Sequence, residues 1–140
     1  MALVHSGGAL VIEFHLNSRS GVAPYLQLIR QVRQALRLGL LRAGDQLPTV
    51  KEVAGSLAIN PNTVLKAYRE LEYEGLVAAK PGVGTFVTKT LSDASVAAHQ
   101  GLSLELSAWI RRAQQAGLDF ESIEALFQRA VRSAAREEAV

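Results

Sequence analysis

The chain has 140 residues, 49% of them apolar, with 15 basic against 13 acidic side chains. That is the size of one domain, or of one small domain with an appendage, and the apolar share supports a packed core rather than global disorder. It contains no cysteine, which excludes disulfides, thiolate zinc sites and cysteine nucleophiles.

The histidines His5, His15 and His99 are scattered and match no metal-ligand spacing, so neither a metal nor a cofactor is expected. The opening run MALVHSGGALVIEFHLN has no basic leader region, and Glu13 interrupts its apolar stretch. No segment approaches the roughly 18 apolar residues of a membrane span. The expectation is a cytoplasmic protein with no membrane partner. Charge is unevenly spread: residues 1–90 carry ten basic and six acidic groups, net +4, while residues 91–140 carry five and seven, net −2. A basic front suits a polyanion.

In chain order, residues 1–10 hold Gly7-Gly8 without periodicity and read as a loose leader. Val11 to Leu16 alternates in part and predicts a short strand, followed by the turn cluster Asn17 to Gly21. Pro24 opens a helix whose apolar stripe is Leu26, Ile29, Val32, Leu36 and Leu40, with Gly39 and Gly44 marking its end. Arg30, Arg33 and Arg37 fall mostly off that stripe and read as a solvated face. Asp45 to Pro48 predicts an irregular connection. Thr49 with Glu52 forms a capping box for a helix to about Leu57. Asn60 caps the next helix, with Pro61 at its first position and Gly75 as its stop. Its core face is Val64, Ala67, Tyr68 and Leu71, leaving Asn62, Thr63, Lys66, Arg69 and Glu70 on or near the outside. Leu76 to Ala79 and Thr85 to Thr88, separated by Lys80-Pro81-Gly82-Val83-Gly84, predict a hairpin.

The tail differs in character. Ser92 to Gln115 is helical in composition, with a candidate break at Gly101 and a stripe of Leu102, Leu106, Trp109, Ile110 and Ala113. After Gly117, Asp119 caps a last helix with the stripe Ile123, Leu126, Phe127, Ala130, Val131 and Ala134.

The order strand–helix–helix–helix–hairpin is that of a winged helix-turn-helix. The expected fold is mainly α with a small β-hairpin wing: a DNA-binding head over residues 1–90 and a short two-helix dimerisation tail over residues 91–140. A short link between the second and third helices lets the third project its N-terminus into a major groove, which is wide enough for one helix. Asn62 is the leading base-contact candidate, because an Asn amide can bond adenine N6 and N7 together. Thr63 can meet a thymine methyl or a phosphate, while Lys66 and Arg69 suit phosphate or guanine. Gly82 and Gly84 leave little bulk on the wing, so its backbone can approach DNA closely, and Lys80 adds charge there. Lys51 and Thr49 belong beside the same groove.

The stretches YLQLIRQVRQAL, GDQLPTVKEVA, INPNTVLKAYRELEYEGLV and PGVGTFV, between Pro24 and Val87, resemble the GntR family of bacterial regulators. The resemblance implies binding to palindromic operators as a dimer. It carries DNA contact onto Thr49, Lys51, Asn60, Asn62, Thr63, Lys66, Lys80, Gly82 and Gly84. Some members have arginine where this chain has Val50, Pro61 or Leu65, which shifts readout toward Asn60 and Asn62. Ala58 stands where the helix-turn-helix pattern most often has glycine. Most members carry a large C-terminal effector domain; the short tail here, with RRAQQAGLDFESIEALF, is similar to the YtrA-like subfamily.

Two short amphipathic helices cannot form a core alone. Leu106, Trp109, Ile110, Ala113, Ile123, Phe127 and Val131 are therefore expected to pack on a second copy of the chain, with packing on the chain's own head as the other arrangement. Double-stranded DNA and a homodimer partner are the expected interactions, with a small-molecule effector left open. The expected role is a repressor; the alternative is a winged-helix protein-interaction module that does not bind DNA. No pair of catalytic carboxylates, Ser-His-Asp order or phosphate loop is present, so an enzyme is not expected.

Overall fold

The computed structural model describes residues 2–6, 9–91 and 96–139. The chain divides near residue 96 into two compact units, a head and a tail. Among the described residues no helix is long and apolar enough to cross a membrane.

The head begins with strands β1 (Ala2–Ser6) and β2 (Ala9–Glu13), antiparallel and in register from Ala2↔Glu13 to Ser6↔Ala9. This corrects the loose leader expected over residues 1–10, and it moves the expected Val11–Leu16 strand toward the N-terminus. The missed signal was the pair of short apolar runs, Leu3–Val4 and Ala9–Ile12, which suit two paired strands; residues 7 and 8 lie outside the described ones. Ile12 and Phe14 are buried in the head's core.

Helix α1 spans Pro24–Arg37 with Pro24 in its first turn. Leu28, Ile29, Val32, Ala35 and Leu36 form its buried face. Gln31, 7% exposed, is buried among them. Its side chain is paired with the backbone of the extended segment before α1. His15 N–H donates to Gln31 Oε1 (3.1 Å), and Gln31 Nε2 donates to His15 O (2.7 Å). One turn earlier, Gln27 does the same with Asn17, at 2.8 and 3.0 Å. The spacing explains the fit. Helix positions i and i+4 lie about 6 Å apart along the axis, and strand positions i and i+2 about 6.6 Å. The two amides thus mimic a neighbouring strand.

Helices α2 (Val50–Leu57) and α3 (Pro61–Tyr73) follow, then strands β3 (Val77–Lys80) and β4 (Gly84–Val87). Helix α3 packs on α1, α2 and β3. Val64, Ala67, Tyr68 and Leu71 face inward from it, meeting Val53 and Ala54 of α2. The connection expected to be irregular runs along β4 instead: Leu47 N–H donates to Thr85 O and Val87 N–H to Asp45 O, both at 2.8 Å, and Gln46 bridges to Phe86. Leu47 is buried in the head's core. The wing is thereby tied to the start of α2.

In the tail, α4 covers Val96–Gln115 and runs through Gly101 without a break. The first residues of the expected helix, 92–95, lie outside the described ones. Gly117, at φ +94°, reverses the chain, and α5 covers Phe120–Glu138 with Asp119 as its cap. Ser122 N–H donates to Asp119 Oδ1 at 2.8 Å, and hydrogen bonds from the Ser122 side chain and then from its N–H hold the Asp119 carboxyl below its ordinary range.

Candidate nucleic-acid interface

The two helices of the central motif are each fixed at their first residue. Thr49 and Glu52 close a full capping box: Glu52 N–H donates to Thr49 Oγ1 and Thr49 N–H to Glu52 Oε2, both at 3.1 Å. Helix α2 ends at Ala58, whose φ of +53° and ψ of +47° are left-handed. Ile59 N–H then donates back to Ala54 O (3.1 Å), closing the turn in the way that usually calls for glycine. Asn60 Oδ1 accepts from Asn62 N–H at 2.8 Å and opens α3. The link between the helices is thus Ala58, Ile59 and Asn60, the tight geometry that lets α3 project.

Tyr68 locks this arrangement from below. Its hydroxyl donates to Pro48 O at 2.6 Å, joining the middle of α3 to the residue before the α2 cap. Burial, with Glu52 nearby adding repulsion, pushes the hydroxyl well above tyrosine's ordinary range, so it stays a donor. A hydrogen bond of this kind contributes about 1 kcal/mol, and a larger loss follows if Pro48 O is left buried without a partner.

With the core face settled, the outer face of α3 follows from helix periodicity. Asn62, Lys66 and Arg69 stand at i, i+4 and i+7, opposite Val64, Ala67 and Leu71, and all three are exposed. Thr63 is half-buried at the flank. Tyr73, on the same stripe at i+11, is 90% exposed and was not singled out from sequence. Beyond it, Glu74 is paired with Arg33 of α1, so Arg33 braces the far end of α3 rather than standing in solvent alone. Thr49 and Lys51 are exposed at the start of α2. Asn60 is exposed, but its carbonyl oxygen is committed to the cap, so its NH2 group is what remains for a base or phosphate.

The wing is a tight hairpin. Val83 N–H donates to Lys80 O at 2.9 Å, with Pro81 and Gly82 (φ +74°) at the corner, the pattern of a type II turn. A Cβ on Gly82 would meet open space, so no neighbour would obstruct a nucleic acid there. Gly84 has a different reason to be glycine: at φ +145°, a Cβ would lie 2.4 Å from Gln46 Nε2. Lys80 is exposed and its ammonium sits over the Phe86 ring, 4.8 Å from the centroid.

Every expected contact residue thus falls at the capped start of α2, along α3 or on the wing. Sequence reasoning missed the residues that support them: Tyr25 beneath Lys66 at 3.9 Å, Phe86 beneath Lys80, Gln46 beside Gly84, and the Tyr68 hydroxyl. The contacts of Tyr25, Gln46 and Tyr68 join positions distant in sequence, which no local pattern encodes, whereas Lys80 and Phe86 are near neighbours across the hairpin whose register the sequence did not fix.

Known proteins share this arrangement. The family described as "Bacterial regulatory proteins, gntR family" matches residues 24–87. The HTH-type transcriptional repressor YtrA of Bacillus subtilis is 35% identical over 109 residues, covering 77% of this chain and 84% of that protein. The HTH-type transcriptional regulator Rv1152 of Mycobacterium tuberculosis is 41% identical over 81 residues, 57% of this chain and 67% of that one. Among solved structures, YtrA from Sulfolobus acidocaldarius, a GntR-family transcription factor, superposes with a TM-score of 0.50 at 27% identity, covering 86% of this chain and 97% of that one. A transcriptional antiterminator from Listeria monocytogenes gives a TM-score of 0.55 at 27% identity, with 86% and 90% covered. On its motif, its fold and these relatives, the chain belongs to the GntR family and is a DNA-binding transcriptional regulator with a winged helix-turn-helix, not an enzyme.

Proposed function

We propose that the protein is a repressor that occupies a palindromic operator as a homodimer. Helix α3 of each copy enters a major groove, with Asn62 on a base edge, Thr63, Lys66 and Arg69 on bases or phosphates, and the Asn60 NH2 group at the rim. Thr49 and Lys51 meet the backbone of the same groove, and the wing residues Lys80, Gly82 and Gly84 lie against backbone or minor groove. The observation that carries this reading is the exposed Asn62/Lys66/Arg69 stripe on a helix anchored at its cap and at Tyr68. The tail supports the dimer: Leu106, Trp109, Ile110, Ile123 and Phe127 line one apolar groove of about 320 Å3 between α4 and α5, together with Phe120 and Glu124. Ala113, half-buried, and Val131, exposed, extend the two stripes beyond it. Twofold symmetry would set equivalent α3 helices about 34–36 Å apart, one turn of B-DNA.

Selection of bound duplexes from a random pool tests this. An inverted repeat with that spacing is the expected product, and binding to it should weaken steeply with salt as counterions are released. Enrichment of single, unpaired motifs would remove the palindrome, and no enrichment at moderate salt would remove sequence-specific binding. In the same assay Asn62→Ala should relax one base pair per half-site, a loss of about 1–3 kcal/mol. An unchanged consensus would show that Asn62 reads nothing.

A further inference from the structure

Two of the three lysines proposed to meet DNA, Lys66 and Lys80, share a feature that function alone does not require: each rests on an aromatic ring of the head. Lys66 Nζ lies 3.9 Å from the centroid of Tyr25, in the first turn of α1. Lys80 Nζ lies 4.8 Å from the centroid of Phe86. The second pair follows from sheet geometry. Lys80 is paired with Gly84 and Ala78 with Phe86, so Lys80 and Phe86 are diagonal neighbours on one face, within reach of each other. The first pair joins α1 to α3, with Tyr25 half-buried and packed against the core.

We propose that Tyr25 is a positioning residue for DNA recognition: its ring holds the Lys66 ammonium beside the reading stripe of α3 before DNA arrives. A free lysine side chain has several rotatable bonds whose freedom is lost when it engages a phosphate. A ring face attracts the cation and confines it. The ammonium has three N–H donors directed away from its stem, and contact with a ring on one side leaves donors for a phosphate oxygen on the other. Tyr25 thus removes part of the ordering cost of binding without displacing the contact. Phe86 does the same for Lys80 on the wing.

The inference rests on Lys66 meeting DNA, and a double-mutant cycle separates the two claims. Affinity for the selected duplex is measured across a salt series for the full chain, Tyr25→Phe, Tyr25→Leu, Lys66→Ala and the Tyr25→Leu/Lys66→Ala double variant. Tyr25→Phe keeps a ring and should bind as the parent does. Tyr25→Leu should bind about threefold more weakly, as expected of an exposed cation–π contact, with its salt slope unchanged because the phosphate contact persists. Lys66→Ala should lower the slope by about one, and adding Tyr25→Leu to it should cost nothing further. Tyr25→Leu binding as tightly as the parent or more tightly, or losses that simply add in the double variant, would overturn the positioning role. Lys66→Ala with parental affinity and slope would instead overturn the Lys66 contact itself. Should Tyr25→Leu unfold at the assay temperature, Tyr25→Trp replaces it: a better ring for a cation, it should bind at least as tightly as the parent in a Lys66-dependent way, and weaker binding or a gain independent of Lys66 counts against the proposal.

Discussion

Ala58 shows how a single residue records the demands of the motif. A short helix-turn-helix link needs a left-handed residue at the end of α2, and Ala58 supplies it at φ +53°. For an L-residue that conformation costs about 1–2 kcal/mol, because Cβ crowds the following carbonyl. Glycine avoids that cost but loses about 0.4–1 kcal/mol through the greater freedom of its unfolded chain. The strain is the larger quantity, so Ala58→Gly should raise stability by about 0.5–1 kcal/mol in urea unfolding. DNA affinity should stay the same, since Ala58 lies outside the α3 stripe. A loss of stability would mean that the turn relaxes the strain elsewhere. The pattern of the motif identified this position without its geometry. At Gly84 the same kind of reading was incomplete: small size suggested approach by DNA, whereas Gln46 beside it gives glycine an internal reason as well.

At the scale of elements, helix starts were the most legible part of the fold, because a cap is a contact between residues two or three apart. Thr49 with Glu52, Asn60 with Pro61, and Asp119 are all observed where the sequence placed them. The Asp119 cap has a pH signature. Its folded carboxyl titrates below the ordinary aspartate value of about 3.9, so its contribution is complete above that value and is lost as pH falls through the lower, folded one. The Ser122 amide proton should report this in NMR by shifting only below the ordinary range, and Asp119→Asn should abolish the step. A midpoint at the ordinary value would mean that the cap is not formed in solution. The Gln27 and Gln31 pairs were not legible, since they join residues ten and sixteen positions apart. A buried glutamine within an apolar helix face was the available hint. Gln31→Leu keeps the volume but removes both hydrogen bonds that the amide makes to the His15 backbone. It should therefore cost about 1–3 kcal/mol, the net worth of two such bonds, in thermal or denaturant melts. A neutral result would mean that water replaces the amide at little cost.

At the scale of the whole molecule, the tail is what remains to be satisfied. Within its own unit α5 buries Ile123 alone, at 6% exposure, while Leu106, Leu126, Phe127 and Val131 remain between 41% and 51% exposed. A two-helix unit of this size has too little interior to stand by itself, and each large side chain it covers adds about 1.5–3 kcal/mol. In the proposed dimer a second copy would offer the same groove and the same stripe, so one symmetric contact would cover both sets. Phe127→Glu should break it, because a symmetric dimer would bury the new carboxylate twice without a partner. Leu104→Glu is the control: Leu104 is 72% exposed and off the stripe, so its charge stays in water. Sedimentation should show the parent and Leu104→Glu as dimers and Phe127→Glu as a monomer. Operator affinity should then fall by about 10²–10⁴-fold for Phe127→Glu alone, as two linked half-site contacts become two independent ones. The wing and α3 are untouched by this change, so binding to an isolated half-site should keep its strength. If Phe127→Glu sediments as a dimer, the groove between α4 and α5 is not the surface that joins the two copies; if it becomes a monomer without losing operator affinity, recognition does not depend on pairing the heads.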